Sequence, residues 1–191
     1  MTLSIERLFT QARTQNGYLD TPVSDAQLQA LYELLKWGPT AANSSPARFV
    51  FVRSAAAKER LIPCMAPGNQ AKVRQAPVTV LIGMDMAFYD RLPQLFPHTD
   101  ARAWFVGKPA MIESTAMRNS SLQGGYLIMA ARALGLDCGP MSGFDAAKLE
   151  AEFWSGTTVR ANFVCTLGHG DPAKVLPRNP RLAFGEACQL A

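Results

Sequence analysis

Apolar residues recur at helical spacing in several parts of the chain, separated by loops rich in proline, glycine and small polar residues. A capping box, in which Ser24 faces Gln27 three residues later, predicts a helix that ends at Gly38-Pro39. The segment 120–134 is apolar on nearly all sides, so we expect its helix in the core or at a subunit interface. Its small residues permit close helix approach, and we expect them, Gly124 included, to form the contact between two subunits. Two further helices are predicted at 5–12, with one buried face, and at 55–61. Another follows a turn at 67–72 and ends at Pro77. The last begins after the N-cap Asp145.

Runs of β-branched and aromatic residues predict three strands, at 49–53, 78–84 and 162–167. The second run is apolar throughout, which is typical of a central strand that is buried on both faces. Periodicity fails over 85–109, where aromatic residues lie among prolines and charges, and this pattern predicts an irregular segment that acts as a lid. The proline-rich residues 177–182 predict an extended arm.

A hinge segment, 134–145, joins the apolar helix to the next helix. Pro140 fixes the chain direction there and favours an extended conformation at Gly139. Gly143 can adopt backbone angles closed to other residues, and it leaves room for a flat ligand. The backbone N–H groups of Ser142 and Gly143, just ahead of a helix N-terminus, suit a planar, electron-rich heteroatom. The same pattern also fits an ordinary helix–strand–helix connection.

The composition is that of one globular domain, 1–191, with a slight surplus of apolar residues. At 191 residues and 48% hydrophobic, the chain can bury its own core and still supply a subunit interface. The net charge of +4 comes from scattered basic residues, so no nucleic-acid or membrane-binding patch is expected. No apolar run has the length of a membrane span. Four cysteines without a C-x-x-C pair, and a start that does not read as a signal peptide, favour a reducing cytoplasm.

The candidate chemistry lies in donor-rich loops and arginines. The two histidines have no partners at metal-ligand spacing, and we find no nucleophile elbow, no Walker A loop and no complete G-x-G-x-x-G motif. We therefore expect no metal ion, and hydrolysis, phosphoryl transfer and a dinucleotide-binding Rossmann fold all lack their characteristic parts. Loops at 13–17 and 39–49 are dense in hydrogen-bonding side chains, and two arginines lie in the extended arm. Such a lining is typical of a bound cofactor that performs the chemistry itself.

Five of these segments, in the same order, resemble the FMN-dependent nitroreductase family, and the resemblance covers most of the chain. The residues that carry it are Arg13, Thr14 and Gln15 in the first loop, Asn43, Ser44 and Ser45 before the first strand, Asn69 and Lys72, Pro140, Met141, Ser142 and Gly143 in the hinge segment, and Arg178 and Arg181 in the arm. Where the family commonly has a glutamate, a tryptophan and a lysine, this chain has Ser142, Ala47 and Gly17.

The resemblance implies an α+β fold, with a mainly antiparallel sheet flanked by helices, in an intertwined homodimer that binds FMN at its interface. It also implies NADH or NADPH as reductant and a two-step reaction, in which NAD(P)H gives a hydride to flavin N5 and leaves before the second substrate accepts it. Because flavin N5 carries the hydride, the resemblance implies no catalytic side chain. The backbone N–H groups of Ser142 and Gly143 would tune N5. Asn43, Asn69 and Asn119 would contact the ring edge or ribityl chain.

The arginines offer candidate contacts for two anionic groups. Arg13 and Arg181 have no acidic neighbours in sequence, so we expect both to bind the FMN phosphate, with Arg178 or Lys72 as a third partner. Alternatively, the two arginines of the arm solvate a proline-rich tail. Arg48 or Arg118 could bind the carboxylate of a small acid-aldehyde, although Arg48 could equally be a solvent-facing residue at a strand end.

Segments 37–49 and 118–124 look closest to the malonic semialdehyde reductase, or 3-hydroxypropionate dehydrogenase-like, subgroup of the family. This likeness implies that a small aldehyde such as malonic semialdehyde is reduced to 3-hydroxypropionate. Two alternatives remain open. One is a broad nitro- or quinone reductase, and the other is a flavin-binding dimer without useful turnover.

Overall fold

A four-stranded antiparallel sheet forms the centre of the molecule, which we describe over residues 4–191 from a computed structural model. The strands are β1 (Ala47–Val52), β2 (Val78–Asp85), β3 (Asp137–Met141) and β4 (Val159–Gly168), in the spatial order β1-β2-β4-β3. The central position of β2 confirms the prediction from its apolar run. β3, predicted only as a short extended segment, is an edge strand, and Pro140, which has no N–H to donate, is tolerated at such an edge.

Helices cover both faces of the sheet. They are α1 (Asp25–Leu35), α2 (Ala55–Leu61), α3 (Pro67–Gln75), α4 (Leu92–Leu95), α5 (Pro109–Ala133), α6 (Ala146–Phe153) and α7 (Phe184–Ala187). The Ser24 capping box and the Asp145 N-cap both form as predicted. α3 starts directly at Pro67, where we expected a turn, because proline is well suited to the first position of a helix.

Alternate residues of β2 face two separate hydrophobic clusters. Val80 and Ile82 pack in one cluster with residues of α1 and α5, whereas Leu81 packs in the other with residues of α2, α3 and α6. The alternation follows from the two-residue period of a strand. No helix in the described range 4–191 is both long and apolar enough to cross a membrane.

Helix α5 is longer than predicted and lies differently. It begins at Pro109, a residue type well suited to the first helical position. The prediction was too short because the polar residues of the first turns interrupt the apolar pattern, although they do not break the helix. A Cβ added to Gly124 would lie 2.3 Å from the Phe163 side chain of β4. Gly124 therefore packs inside its own subunit, and our expectation that it belongs to a dimer contact was wrong. Gly125 faces open space.

The first helical segment has no buried apolar face within this chain. It is a π-helical turn, Glu6–Thr10, in which Gln11 N–H donates to the Glu6 carbonyl at 2.7 Å. Ile5 is 73% exposed and Phe9 is 59% exposed, so the predicted burial of this face was wrong for the single chain.

Residues 85–109 form short helical turns that pack around a buried core of their own. The absence of hydrophobic periodicity in this segment predicted an irregular lid. Helical turns at Phe88–Arg91 and Arg102–Trp104 flank α4. Phe88 is fully buried, with its ring edge-to-face against Phe105 at a centroid distance of 4.9 Å. The segment has its own small hydrophobic cluster, which joins Phe88 and Leu92 to Ala101 and Phe105. Local periodicity does not register packing between separate turns of the chain.

Candidate functional site

A cavity of about 380 Å³ brings together four arginines from three parts of the chain. Arg13 comes from the first loop, Arg132 from the last turn of α5, and Arg178 and Arg181 from the C-terminal arm. The remaining lining residues are Phe9, Ala12, Thr14, Asn16, Leu176, Pro177 and Asn179, none of which is acidic. We call this the arginine cavity. It unites three arginines that the sequence predicts as cofactor-binding, whereas Lys72 lies on α3 and is not part of its lining.

The four guanidinium groups are held by backbone carbonyl groups. Arg178 Nη2 donates to Thr10 O at 2.7 Å, and Arg132 Nη1 donates to Leu8 O at 2.7 Å. Arg13 bonds to the carbonyl of Leu176, and Arg181 to those of Asn179 and Pro180 at 2.9 and 3.0 Å. Within residues 4–191, none of the four forms an ion pair with a carboxylate. Neutral carbonyls position the side chains without cancelling their charge.

Arg132 was missed by sequence reasoning. Its Nε is buried and has no hydrogen-bond partner among the described residues. The available signal was a single charged residue at the end of an apolar helix. That signal is ambiguous, because arginine is also common in the last turn of a helix, where it interacts with the terminal carbonyls.

The first loop runs beside the free edge of β3. Gln15 N–H donates to the Cys138 carbonyl at 2.9 Å, and Thr14 forms a parallel bridge with Cys138. The Gln15 side chain is buried, but its Oε1 has no partner in the described chain. Nearby, the Tyr18 hydroxyl donates to Thr166 Oγ1 at 2.8 Å, and burial raises the pKa of this phenol. Tyr18 therefore stays neutral and fixes the loop to the sheet.

The other end of β3 carries the hinge residues. The amide N–H groups of Ser142 and Gly143 donate to no acceptor in the described chain. Asn69 Nδ2 donates to the Gly143 carbonyl at 3.0 Å. A Cβ on Gly143 would lie 2.7 Å from that nitrogen, whereas its φ is not positive. Glycine is thus needed here for close approach, and the expected unusual backbone angle is absent. Met141 is buried, so only its backbone faces the edge.

The loop before β1 has an unusual backbone. Ala42, Asn43 and Ser45 have left-handed φ values of 50°, 49° and 39°. Asn43 Nδ2 donates to the Leu95 carbonyl at 2.8 Å, and Ser44 Oγ is buried without a partner in the described chain. Left-handed conformations are unfavourable for residues other than glycine, and they concentrate at functional sites. We call residues 42–45 the strained loop.

Asn119, Arg48 and Arg118 differ in how their side chains are engaged. Asn119 is buried on α5, where its Oδ1 accepts the Ala41 N–H at 2.7 Å and its Nδ2 donates to the Thr115 carbonyl at 2.8 Å. It holds the segment that leads into the strained loop. Arg48 is paired with Asp85 at 2.6 Å. Arg118 is exposed on α5 and has no side-chain partner within residues 4–191.

The strained loop and the arginine cavity lie at opposite corners of the sheet. The loop precedes β1 at one edge, whereas the arginine cavity adjoins β3 at the other edge, three strand spacings or about 14 Å away. Across the sheet, Cys138 lies at the level of Val78, and Ala47 lies at the level of Met84. These two levels are about 20 Å apart along the strands. Within one chain, the structure therefore does not bring the strained loop and the arginine cavity together.

Comparison with known proteins identifies the family of this chain. The model of the nitroreductase family matches residues 10–170. The chain belongs to the nitroreductase family. A relative from Ralstonia nicotianae, provisionally named an NADH dehydrogenase/NAD(P)H nitroreductase, is 61% identical over 97% of this chain and 95% of its own. A protein of the same provisional name from Polynucleobacter asymbioticus is 58% identical over 98% and 95% of the two chains.

Solved structures of low sequence identity share the fold of this nitroreductase-family chain. A provisionally named nitroreductase of Exiguobacterium sibiricum, solved in complex with FMN, aligns with a TM-score of 0.89 at 17% identity over 100% of this chain and 99% of its own. A gut-bacterial enone reductase, CLA-ER, aligns with a TM-score of 0.87 at 17% identity, over 99% and 98%. The predicted α+β class, the family and the expectation of an oxidoreductase are confirmed.

Residues 4–191 contain no group of three or more His, Cys, Asp or Glu residues that could hold a metal ion.

Proposed function

We propose that this chain, as a single domain over 1–191, is an FMN-dependent NAD(P)H oxidoreductase whose FMN phosphate binds in the arginine cavity. The observation that carries the proposal is the convergence of four guanidinium groups without a carboxylate. A buried phosphate dianion requires hydrogen-bonded cations to offset its desolvation, and arginine forks match phosphate oxygens in pairs. Family membership and the FMN complex of the Exiguobacterium protein support the choice of cofactor.

The edge of β3 offers a path for the remainder of the cofactor. From Cys138, beside Thr14, the strand and hinge run to Gly143 over five residues, or about 16 Å. Two unpaired groups on this path, Gln15 Oε1 and the Ser142 N–H, can hydrogen-bond a ribityl chain or a ring edge. Gly143 lets the Asn69 side chain pack closely against the hinge, beside the same path. When bound, FMN supplies the hydride chemistry, and the chain's residues bind it, orient it and exclude water.

We further propose that the protein is an intertwined homodimer in which the strained loop of one subunit contacts the flavin of its partner. The separation of the loop from the arginine cavity supports this arrangement, since one chain alone cannot bring both to the same cofactor. Exposed apolar side chains also require cover, notably Trp37, which is 80% exposed, and Phe9.

The free cysteines Cys64, Cys138, Cys165 and Cys188 support a reducing, cytoplasmic setting.

The visible spectrum of the purified protein tests the function directly. We expect bound oxidised flavin to give its yellow absorption, and NADH or NADPH, added without oxygen, to bleach it. A native protein that binds no flavin would contradict the proposal. Bound flavin that neither NADH nor NADPH bleaches would favour the alternative of a non-catalytic flavin-binding dimer.

As the electron acceptor we propose a small acid-aldehyde, malonic semialdehyde being the example that the subgroup resemblance implies. Arg118 supports this choice, because its guanidinium is exposed and has no partner within residues 4–191. The names of the close relatives support the second candidate, a nitroreductase of broad specificity. Steady-state rates on malonic semialdehyde and nitrofurazone separate the two. Arg118→Ala should raise KM for the acid-aldehyde while the kinetics with nitrofurazone stay unchanged.

A further inference from the structure

The strained loop needs external support to keep its conformation. Ala42, Asn43 and Ser45 all have left-handed φ values, between 39° and 50°, and none of them is glycine. Such conformations persist only where the surrounding contacts determine the backbone strongly. The contacts that leave this loop therefore indicate how its shape is maintained.

One of these contacts, made by the Ser45 carbonyl, leads through Arg48 to Asp85, the last residue of β2. Its Oδ2 accepts Nη2–H of Arg48 at 2.6 Å, and its Oδ1 accepts Thr158 Oγ1–H at 2.6 Å and the Ala87 N–H at 2.9 Å. Its own N–H donates to the Pro46 carbonyl at 2.9 Å, directly after the loop. The side chain is 14% exposed. Contacts on both oxygens fix the orientation of this carboxylate.

The Arg48 side chain connects this fixed carboxylate to the strained loop. Nη1 donates to the Ser45 carbonyl at 3.1 Å and to the Ala47 carbonyl at 2.9 Å, while Nη2 is held by Asp85. The planar guanidinium links the three acceptors in one rigid fork. The pairing of β1 with β2, from Ala47 to Val52, is made by backbone groups, whereas the contact between Arg48 and Asp85 is made by side chains. The contact with Ser45 serves the loop alone.

We propose that Arg48 and Asp85 form a positioning pair that holds the strained loop in its cofactor-contacting shape. This inference rests on the proposed function, and it replaces the expectation that Arg48 receives a substrate carboxylate. The pair acts on the cofactor through the backbone of residues 42–45, so its effect on affinity is the same for FMN and for riboflavin.

The test measures Kd for FMN and riboflavin by titration of the apoprotein in four forms: wild type, Arg48→Met, Asp85→Asn and the double variant. We expect each single change to weaken both ligands by roughly ten- to a hundredfold, as for a lost charged hydrogen bond. The double variant should lose no more than one single variant, because either change already breaks the pair. Arg60→Met, which breaks the exposed pair with Glu152, is the matched control and should leave both Kd values unchanged.

Rescue by a conservative change separates positioning from general stability. Arg48→Lys retains a cation for Asp85 but loses the fork to the loop carbonyls, so it should restore the melting temperature more fully than the flavin affinity. Native flavin affinity in Arg48→Met overturns the inference, and so does an Arg48→Met protein whose only defect is a raised KM for the acid-aldehyde. If Arg48→Met does not fold, native affinity in Arg48→Lys has the same consequence. Failure of the wild type to bind flavin instead overturns the proposed function.

Discussion

Arg181 lies on the extended arm, exposed, with only the carbonyls of Asn179 and Pro180 as partners. If the arginine cavity binds the FMN phosphate, Arg181→Ala should weaken FMN by about 1.5–3 kcal/mol, roughly ten- to a hundredfold. Riboflavin, which has no phosphate, should bind the native protein more weakly and be nearly indifferent to the substitution. Titration of both ligands into both apoproteins measures this. Equal losses for the two ligands would mean that Arg181 supports the fold.

Arg132 allows the same comparison for a residue that the sequence did not single out. Its buried, unpartnered Nε and its place in the cavity wall predict a direct phosphate contact. Arg132→Met should therefore weaken FMN more than riboflavin, by roughly tenfold or more. Arg132 also holds the Leu8 carbonyl at 2.7 Å, so the melting temperature should be recorded in parallel. A lower melting temperature with an unchanged ratio of FMN to riboflavin affinity would assign the residue to packing.

At the scale of elements, α5 presents two adjacent glycines in opposite environments. A side chain at Gly124 meets Phe163 within the subunit, whereas nothing lies within 4 Å of a Cβ at Gly125. Met117, Ser121 and Gly125 lie exposed at four-residue spacing on one face of the helix, where we expect the dimer contact.

Gly124→Leu should thus lower the free energy of unfolding by roughly 1–3 kcal/mol or more through overpacking inside the subunit. Gly125→Leu should leave the fold intact, because leucine is the better helix former, and should shift the protein toward monomers. Thermal melting measures the loss of stability, and sedimentation velocity measures the shift toward monomers. A stable Gly125→Leu dimer would place the interface on another face.

At the scale of the whole molecule, we expect each flavin site to need two chains. The Arg181→Ala chain keeps a native strained loop, and an Asn43→Ala chain keeps native arginines. A heterodimer of the two should contain one fully native site, built from the arginines of one chain and the loop of the other, and one doubly defective site. Co-expression with different affinity tags, followed by flavin titration, should give native affinity at half occupancy. Heterodimers without any native-affinity site would show that each site lies within one chain.

Several features followed from the sequence because they depend on local chemistry. The Ser24 capping box, the Asp145 cap and the apolar run of β2 each require only neighbouring residues, and the structure confirmed all three. The order of the loop motifs indicated the family, which the comparisons confirmed. Arg13 and Arg181 stood out because no acidic residue is close to either of them in sequence.

Contacts between distant residues decided the rest. Gly124 lies against Phe163 and Arg48 against Asp85, pairs that no periodicity links, so the first was expected at a dimer interface and the second at a substrate. Arg132 entered the cavity wall because α5 ends beside the first loop. The strand order β1-β2-β4-β3 set the strained loop and the arginine cavity at opposite corners of the sheet. Sequence indicated the candidate groups for a flavin site, and tertiary structure decided which of them lie close enough to share one site, because that distance depends on strand order and packing.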